Sequence, residues 1–321
     1  MSSIKILAND GIDPVGKNLL EEAGFEVSTD FISQDELMSR LGEFEVIIVR
    51  SATQVRKELI DACPNLRVIA RGGVGMDNID VEYAKSKGIE VINTPAASSN
   101  SVAELVFAHL LSAIRFLNYT NRIMPDEGSE RFKELKKSSS KGRELFGKTM
   151  GIIGLGRIGR ETARIAIGLG MNVVAHDSFI DEAEIPLVLH PSLKATGPTI
   201  ILKSISQDDV LAQSDFISLH VPGGGGTVIG AKEFAQMKNG AVLVNCARGG
   251  VVDEKALAAA LESEKLSFAA LDVFESEPPI NKEILKYKNV SLSPHIGAST
   301  VEAQARIGEE LAQKITAYLK S

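Results

Sequence analysis

A chain of 321 residues, 44% apolar and 24% charged with a net charge of −7, has the balance of a globular protein of two-domain length and the wrong sign for a nucleic-acid partner. No apolar stretch approaches the roughly 20 residues needed to span a bilayer, and Met1-Ser2-Ser3-Ile4-Lys5-Ile6-Leu7 enters a strand at once, without the charged and apolar regions of a signal peptide. Cys63 and Cys246 are too few for a disulfide framework and stand in no CxxC pair or His/Cys cluster, which argues against a structural zinc site and for a reducing, cytoplasmic setting.

The first hundred residues alternate short apolar runs with helical patterns. Strands are predicted at Ile4–Ala8, Glu26–Thr29, Val46–Val49, Val68–Ala70 and Val91–Ile92, and helices at Pro14–Ala23, Gln34–Leu41, Lys57–Ala62 and Val81–Lys87. Such alternation predicts a parallel sheet with helices on both faces, closed here by Asn93-Thr94-Pro95. A long helix is predicted from about Ser101 to Ile123. Its face is marked by Leu105, Ala108, Leu111, Ser112 and Arg115, and Pro125 ends it, because proline cannot continue the hydrogen-bond ladder. An apolar helix at a domain junction suggests a homodimer interface. Polar Asp126–Arg143 reads as an exposed connection, from which Lys133 or Lys136 would reach a neighbouring subunit's site.

A second alternating unit follows. Its predicted strands are Thr149–Ile153, Val173–His176, Phe216–His220, Ala241–Asn245, Ala269–Val273 and Val290–Leu292, with helices starting at Arg157, Gln207, near Lys232 and at Glu254. Between Asp177 and Phe216, the breakers Pro186, Pro191, Gly197 and Pro198 predict an irregular insertion. The last helix, Ser299–Leu319, is expected to return to the first domain. The fold class is therefore α/β: two Rossmann-like or flavodoxin-like parallel-sheet domains with an active-site cleft between them.

Chemistry enters at Gly154-Leu155-Gly156-Arg157-Ile158-Gly159, which follows the apolar strand Gly151-Ile152-Ile153 and opens a helix. A GxGxxG run in that setting reads as a dinucleotide cradle: a tight turn, room for a pyrophosphate, and a close helix–strand approach. The helix N-terminus offers N–H groups to phosphate, and Arg157 caps it. Asp177 ends the next strand, where an acid bonds both ribose hydroxyls and repels a 2′-phosphate, so the expected cofactor is NAD rather than NADP. Residues 98–294 are then the NAD-binding domain, and 1–97 with 295–321 the substrate domain.

Three later runs carry a resemblance: Asn245-Cys246-Ala247-Arg248-Gly249-Gly250, Leu271-Asp272-Val273-Phe274-Glu275-Ser276-Glu277-Pro278, and Ser293-Pro294-His295-Ile296-Gly297-Ala298-Ser299-Thr300. They resemble the D-isomer-specific 2-hydroxyacid dehydrogenases, and the likeness extends from Val49-Arg50-Ser51-Ala52-Thr53 through Ser101-Val102-Ala103-Glu104 to the last helix. The chemistry suits those residues. Oxidising a secondary alcohol needs a base, and imidazole titrates near neutral pH, which fits His295. A guanidinium that pairs with the substrate carboxylate and polarises C2 fits Arg248. An acid that fixes the histidine is either Glu275 or Glu277 by spacing; the resemblance implies Glu277, immediately before the proline. All three lie just past strand ends, where open α/β sheets place ligands.

The resemblance also implies cofactor contacts from His220, Val221, Pro222 and Thr227 on one side. Toward the nicotinamide it implies backbone at Cys246 and Ala247, Asp272 on the carboxamide, Gly297 and Ala298 flanking the ring, and Val74 from the first domain. Cys246 is not read as a nucleophile, since hydride transfer needs none. Of the other histidines, His109 reads as structural, and His176 and His190 carry less signal.

Arg50 and Arg71 follow two apolar strands of the first domain, and Arg71-Gly72-Gly73-Val74-Gly75 adds a glycine turn that suits an anion. With Ser51, and Ser98 or Asn100 nearby, they suit a phosphorylated 2-hydroxy acid, and the likeness is greatest to the branch of the family acting on 3-phospho-D-glycerate. The expected reaction is its oxidation to 3-phosphohydroxypyruvate, the entry to serine synthesis. The chain stops after the last helix, so no serine-binding regulatory domain is expected. The alternatives are a glyoxylate or hydroxypyruvate reductase on the same frame, and an NAD-sensing binding protein similar to the C-terminal-binding corepressors.

Overall fold

The computed structural model describes residues 3–190, 195–280 and 282–321. The chain divides into two compact units, residues 1–101 with 298–321, and residues 102–297. In the first, β1 (Lys5–Ala8), β2 (Glu26–Ser28), β3 (Val46–Val49), β4 (Val68–Arg71) and β5 (Glu90–Asn93) form a parallel sheet in the order β2-β1-β3-β4-β5. Strands covered on both faces read as continuous apolar runs, and Val46, Ile47, Ile48 and Val49 are all fully buried. The last helix, Val301–Lys320, returns to this unit and seats Ile307, Leu311 and Ile315 in a cluster with Ile6, Ile48 and Ala70. This unit also holds the short helices α1 (Pro14–Glu22), α2 (Gln34–Arg40), α3 (Lys57–Ala62) and α4 (Val81–Ser86), and Leu37, Leu59, Ile60 and Ala84 from the last three pack with Leu7, Ile47, Val49 and Ile69 in a second cluster.

The second unit holds six parallel strands: β6 (Thr149–Ile153), β7 (Asn172–His176), β10 (Phe216–Leu219), β11 (Ala241–Asn245), β12 (Leu266–Leu271) and β13 (Val290–Leu292). Their order is β13-β12-β11-β10-β6-β7. The chain leaves β6 toward β7 and then crosses back to β10, so the direction of winding reverses between β6 and β10. In open α/β sheets that reversal opens a crevice at the carboxyl ends of the two strands.

Two expectations change. The predicted long helix is two helices, α5 (Ser99–Ile114) and α6 (Leu117–Ser138), bent by 60° near Phe116, whose φ is +57°. Pro125 lies inside α6 instead of ending it, and much of the expected connection is helix. Proline removes the bond to the carbonyl of Asn121, but both residues are exposed, so the freed carbonyl need not go unsatisfied in a buried place. The buried face of α5 is Val102, Val106, Leu110 and Ala113, whereas Ala108, Leu111 and Arg115 point outward. A helix apolar on nearly every side offers no contrast from which periodicity can choose a face.

The stretch after Asp177 is also regular. It forms an antiparallel hairpin, β8 (Glu182–His190) and β9 (Ala195–Lys203), with register shifts beside Pro186 and Val188. A two-stranded ribbon has free edges and tolerates a residue with no N–H to donate. Ala183, Ile185 and Leu202 anchor it in the core, and Ser204 bridges Ala175 at the outer edge of β7. Pro191 and the side chain of His190 lie outside the described residues. Among those described, no single helix is long and apolar enough to cross a membrane.

Candidate active site

The crevice begins where β6 stops. Gly154 has φ +105°, and a Cβ there would stand 2.5 Å from the carbonyl oxygen of His220, at the end of β10. Gly159, in the first turn of α7 (Arg157–Gly168), passes so close to the carbonyl of Gly154 that any side chain would overlap it. A Cβ on Gly156 would meet nothing within 4 Å, so this side of the turn is open. Gly156 is also the N-cap of a twelve-residue helix and has no side chain to cap it, which leaves N–H groups for an anion. Arg157 is exposed there and Ile158 half-buried.

Asp177 does more than end β7. Its Oδ2 accepts the N–H of Leu155 at 2.7 Å, and its Oδ1 accepts those of Phe179 at 2.9 Å and Ile180 at 3.1 Å. The acid is thereby tied to the glycine turn. Phe179, two residues on, is 96% exposed. Across the crevice, both ring nitrogens of His220 are sealed from solvent with no hydrogen-bond partner among the described residues. Burial pushes its pKa down to about 3. Val221 is half-buried, and Pro222 and Thr227 are exposed on the loop that follows.

Past β11, Cys246 is buried, and burial, then the charge of Asp272, pushes its thiol well above the ordinary range. It is an inert thiol, in keeping with chemistry that needs no nucleophile. The N–H of Ala247 donates to Asn245 Oδ1 at 3.1 Å, and its carbonyl accepts Arg248 Nη1 at 2.7 Å. The stem of Arg248 packs against Gly223.

The structure brings His295 and Glu277 together. His295 Nδ1 lies 2.7 Å from Glu277 Oε2, with the side chains 41% and 39% exposed. Glu275 turns elsewhere, its Oε1 accepting the N–H of Glu254 at 3.1 Å while Glu254 Oε1 accepts the N–H of Glu275 at 2.9 Å. His295 has φ +54°, and Asp272 holds that turn. The carbonyl of Asp272 accepts the N–H of His295 at 2.8 Å, and its carboxylate accepts those of Ile296 at 2.8 Å and Gly297 at 2.9 Å. A cavity of about 380 Å³ opens beside the pair, lined among others by Phe274, Pro278, Leu292 and Pro294.

The remaining candidates belong to the first unit. Arg50 and Arg71 stand at neighbouring strand ends, since Val49 pairs with Arg71. Asp10 Oδ2 accepts the N–H groups of Arg50 at 2.7 Å and Thr53 at 3.1 Å, which shapes the loop carrying Ser51. Gly72 and Gly73 are buried, Val74 is half-buried, and a side chain on Gly73 would overlap the guanidinium of Arg71. Ser98 is buried and Asn100 half-buried; Ala298 begins the returning segment.

Residues 107–297, more than half of the chain, match the family model for the NAD-binding domain of the D-isomer-specific 2-hydroxyacid dehydrogenases. The chain belongs to this family. It is 42% identical to a hydroxypyruvate reductase of Thermotoga maritima over 98% of both chains. It is 41% identical to a D-3-phosphoglycerate dehydrogenase of Methanocaldococcus jannaschii over 99% of its own length but 58% of that protein, and so spans little more than half of such relatives. The NAD-bound 3-phosphoglycerate dehydrogenase of Entamoeba histolytica superposes with a TM-score of 0.77 at 26% identity, covering 100% of this chain and 96% of that one.

As an NAD-dependent 2-hydroxyacid dehydrogenase the chain has a cradle that fits its cofactor. The open side of Gly156 and the uncapped helix N-terminus leave room and N–H groups for a pyrophosphate, and Gly154 keeps the turn against the carbonyl of His220, whose ring nitrogens have no partner among the described residues. Among the described residues, no group of three or more His, Cys, Asp or Glu is placed to hold a metal ion. Sequence reasoning missed the supports of the site: Glu254, Ser293, and the bond from Asp177 to Leu155. Only three-dimensional proximity reveals them.

Proposed function

We propose that this dehydrogenase oxidises 3-phospho-D-glycerate to 3-phosphohydroxypyruvate with NAD. The observation that carries this reading is the pair Arg50 and Arg71 at adjacent strand ends, two cations where a small neutral tail needs none. Bound NAD supplies the acceptor for the hydride that leaves C2. The turn from Gly154 to Gly159, Asp177, His220, Val221, Pro222 and Thr227 hold its phosphates and adenosine side. Cys246, Ala247, Asp272, Gly297 and Ala298 hold the nicotinamide side.

In the chemical step, His295 takes the C2 hydroxyl proton on Nε2, because Nδ1 already faces Glu277. Glu277 stabilises the imidazolium so formed, and Arg248 pairs with the substrate carboxylate. The outward side of α5 and α6, with Leu111, Leu117, Met124 and Phe132 exposed, is the face of a homodimer. The setting is cytoplasmic.

A second reading, hydroxypyruvate reduction, is favoured by the relative that matches from end to end. Measuring kcat/KM for phosphohydroxypyruvate and hydroxypyruvate with NADH separates the two. The phosphorylated acid is expected to win by about 100-fold, as two charge-assisted pairs would give, and Arg50→Leu or Arg71→Leu to erase most of that advantage. Equal values for the two acids in the wild type would leave hydroxypyruvate as the substrate.

A further inference from the structure

A polar chain runs beneath the catalytic turn, through a residue that the reaction does not otherwise use. His109, on α5, is buried at 6% exposure. Its Nδ1 lies 2.8 Å from Ser291 Oγ and its Nε2 lies 2.9 Å from Ser293 Oγ. Ser293 Oγ in turn lies 2.6 Å from Asp272 Oδ1. The direction of these bonds follows from valence. A carboxylate only accepts, so Ser293 gives its single proton to Asp272 and must accept from His109. That makes His109 the Nε2–H tautomer, with Nδ1 left to accept the hydroxyl of Ser291. Every group in the chain has its partner.

The end of the chain matters. Asp272 takes the N–H groups of His295, Ile296 and Gly297, three residues in a row, and so sets the left-handed turn that aims His295 at Glu277. A buried histidine costs more than the leucine that would fill the same space, unless its bonds serve something.

We propose that His109 is a positioning residue for hydride transfer: acting through Ser293, it fixes the carboxylate of Asp272 and with it the turn that carries His295. Burial also holds its pKa below the ordinary histidine value, against the pull of Asp272, which keeps the ring neutral and its polarity fixed. The inference rests on His295 being the base.

The test compares His109→Leu, which fills the space without either bond, with His109→Gln, whose amide N–H can still reach Ser293. His109→Leu is expected to lower kcat about 10- to 100-fold, with KM for the hydroxy acid changed less than threefold. His109→Gln should recover most of that loss although its Tm stays lowered. Ser293→Ala cuts the same chain by one atom; it should reproduce the kcat loss and answers the question if His109→Leu does not fold. A Tm drop in His109→Leu with kcat within twofold of wild type would overturn the proposal and leave His109 a structural residue. His295→Ala in the same assay separates the two claims. If that variant is inactive while His109→Leu is not impaired, the positioning role alone fails; if it stays active, the catalytic reading beneath it fails.

Discussion

Replacing Glu277 by glutamine isolates one physical quantity, the charge that faces His295. The amide keeps an acceptor where Glu277 Oε2 now stands, 2.7 Å from Nδ1, so orientation and tautomer survive. What is lost is attraction for the imidazolium that forms as the substrate hydroxyl gives up its proton. At 2.7 Å two unit charges attract by about 1.5 kcal/mol in water and about 6 kcal/mol at an effective dielectric of 20. Both side chains are roughly 40% exposed, which places the pair toward the water end. A charge-assisted bond exceeds a neutral one by about 1–2 kcal/mol, the same range. The expected loss in kcat is therefore about 5- to 30-fold, with KM for the hydroxy acid nearly unchanged, measured at saturating NAD. Glu277→Ala, which also frees the ring, should lose more. Glu275→Gln is the comparison, since that carboxylate bonds the backbone of Glu254 instead. A kcat for Glu277→Gln within twofold of wild type, or an equal loss in Glu275→Gln, would refute the pairing as the source of the effect.

Other outcomes follow from the crevice. Gly159→Ala drives a methyl group into the carbonyl of Gly154 and should raise the Kd for NAD at least tenfold by calorimetry, so unchanged binding would remove the glycine turn from the cofactor site. Asp177→Ala should weaken NAD about tenfold and narrow its preference over NADP. Because Asp177 also ties down Leu155, NADP should gain little in absolute terms, and a preserved NAD/NADP ratio would deny the acid its role. His220 is held neutral in the folded chain, with its pKa pushed down to about 3, while the unfolded chain binds that proton near pH 6.5. Its contribution to stability is complete above pH 6.5 and fades as pH falls toward 3, by up to about 1.4 kcal/mol per pH unit. The Tm of wild type should therefore fall more steeply between pH 6.5 and 4.5 than that of His220→Gln, and parallel curves would contradict it. For Glu254 burial raises the pKa, against the opposing bond from the N–H of Glu275 and with the charge of Glu275 helping, so the sign is opposite: the cost appears as pH rises past the unfolded value. Glu254→Gln should raise Tm at pH 7 and lose that advantage in acid.

Legibility in the sequence followed how local the deciding physics is. β3 is an uninterrupted apolar run and β11 is one up to its last residue, Asn245, and strands covered on both faces need nothing else to be seen. The glycine turn and Asp177 are fixed spacings along one strand–helix–strand unit, so a single chain displays them. Pro125 misled because its penalty depends on where the freed carbonyl points, and that is a property of the folded surface. The hairpin after Asp177 was hidden for a related reason: its prolines forbid a central strand but not a two-stranded ribbon. Glu275 and Glu277 are alike in spacing and composition, and only the turn around them decides which one meets His295. His109 and Ser291 lie 182 residues apart, so no local pattern links them.

The same distinction explains how the site is held. Strands in a sheet stand about 4.8 Å apart, so the sheet alone delivers Arg248, Glu277 and His295 to the right neighbourhood and no closer. The finer placement comes from bonds between loops. The loop after β11 passes against the loop after β12 at Gly249, where any side chain would overlap the carbonyl of Phe274. Glu254 and Glu275 bridge the same two loops with reciprocal carboxylate-to-amide bonds. Asp272 then joins the end of β12 to the turn after β13. Arg248, Glu277 and His295 each sit within a few residues of one of these ties, so a change that severs a tie should move the reacting groups while leaving the sheet intact. That predicts that Ser293→Ala, which removes the bond to Asp272 without adding bulk, keeps a near-native Tm and loses kcat, although Ser293 is no acid, base or cation of the proposed reaction.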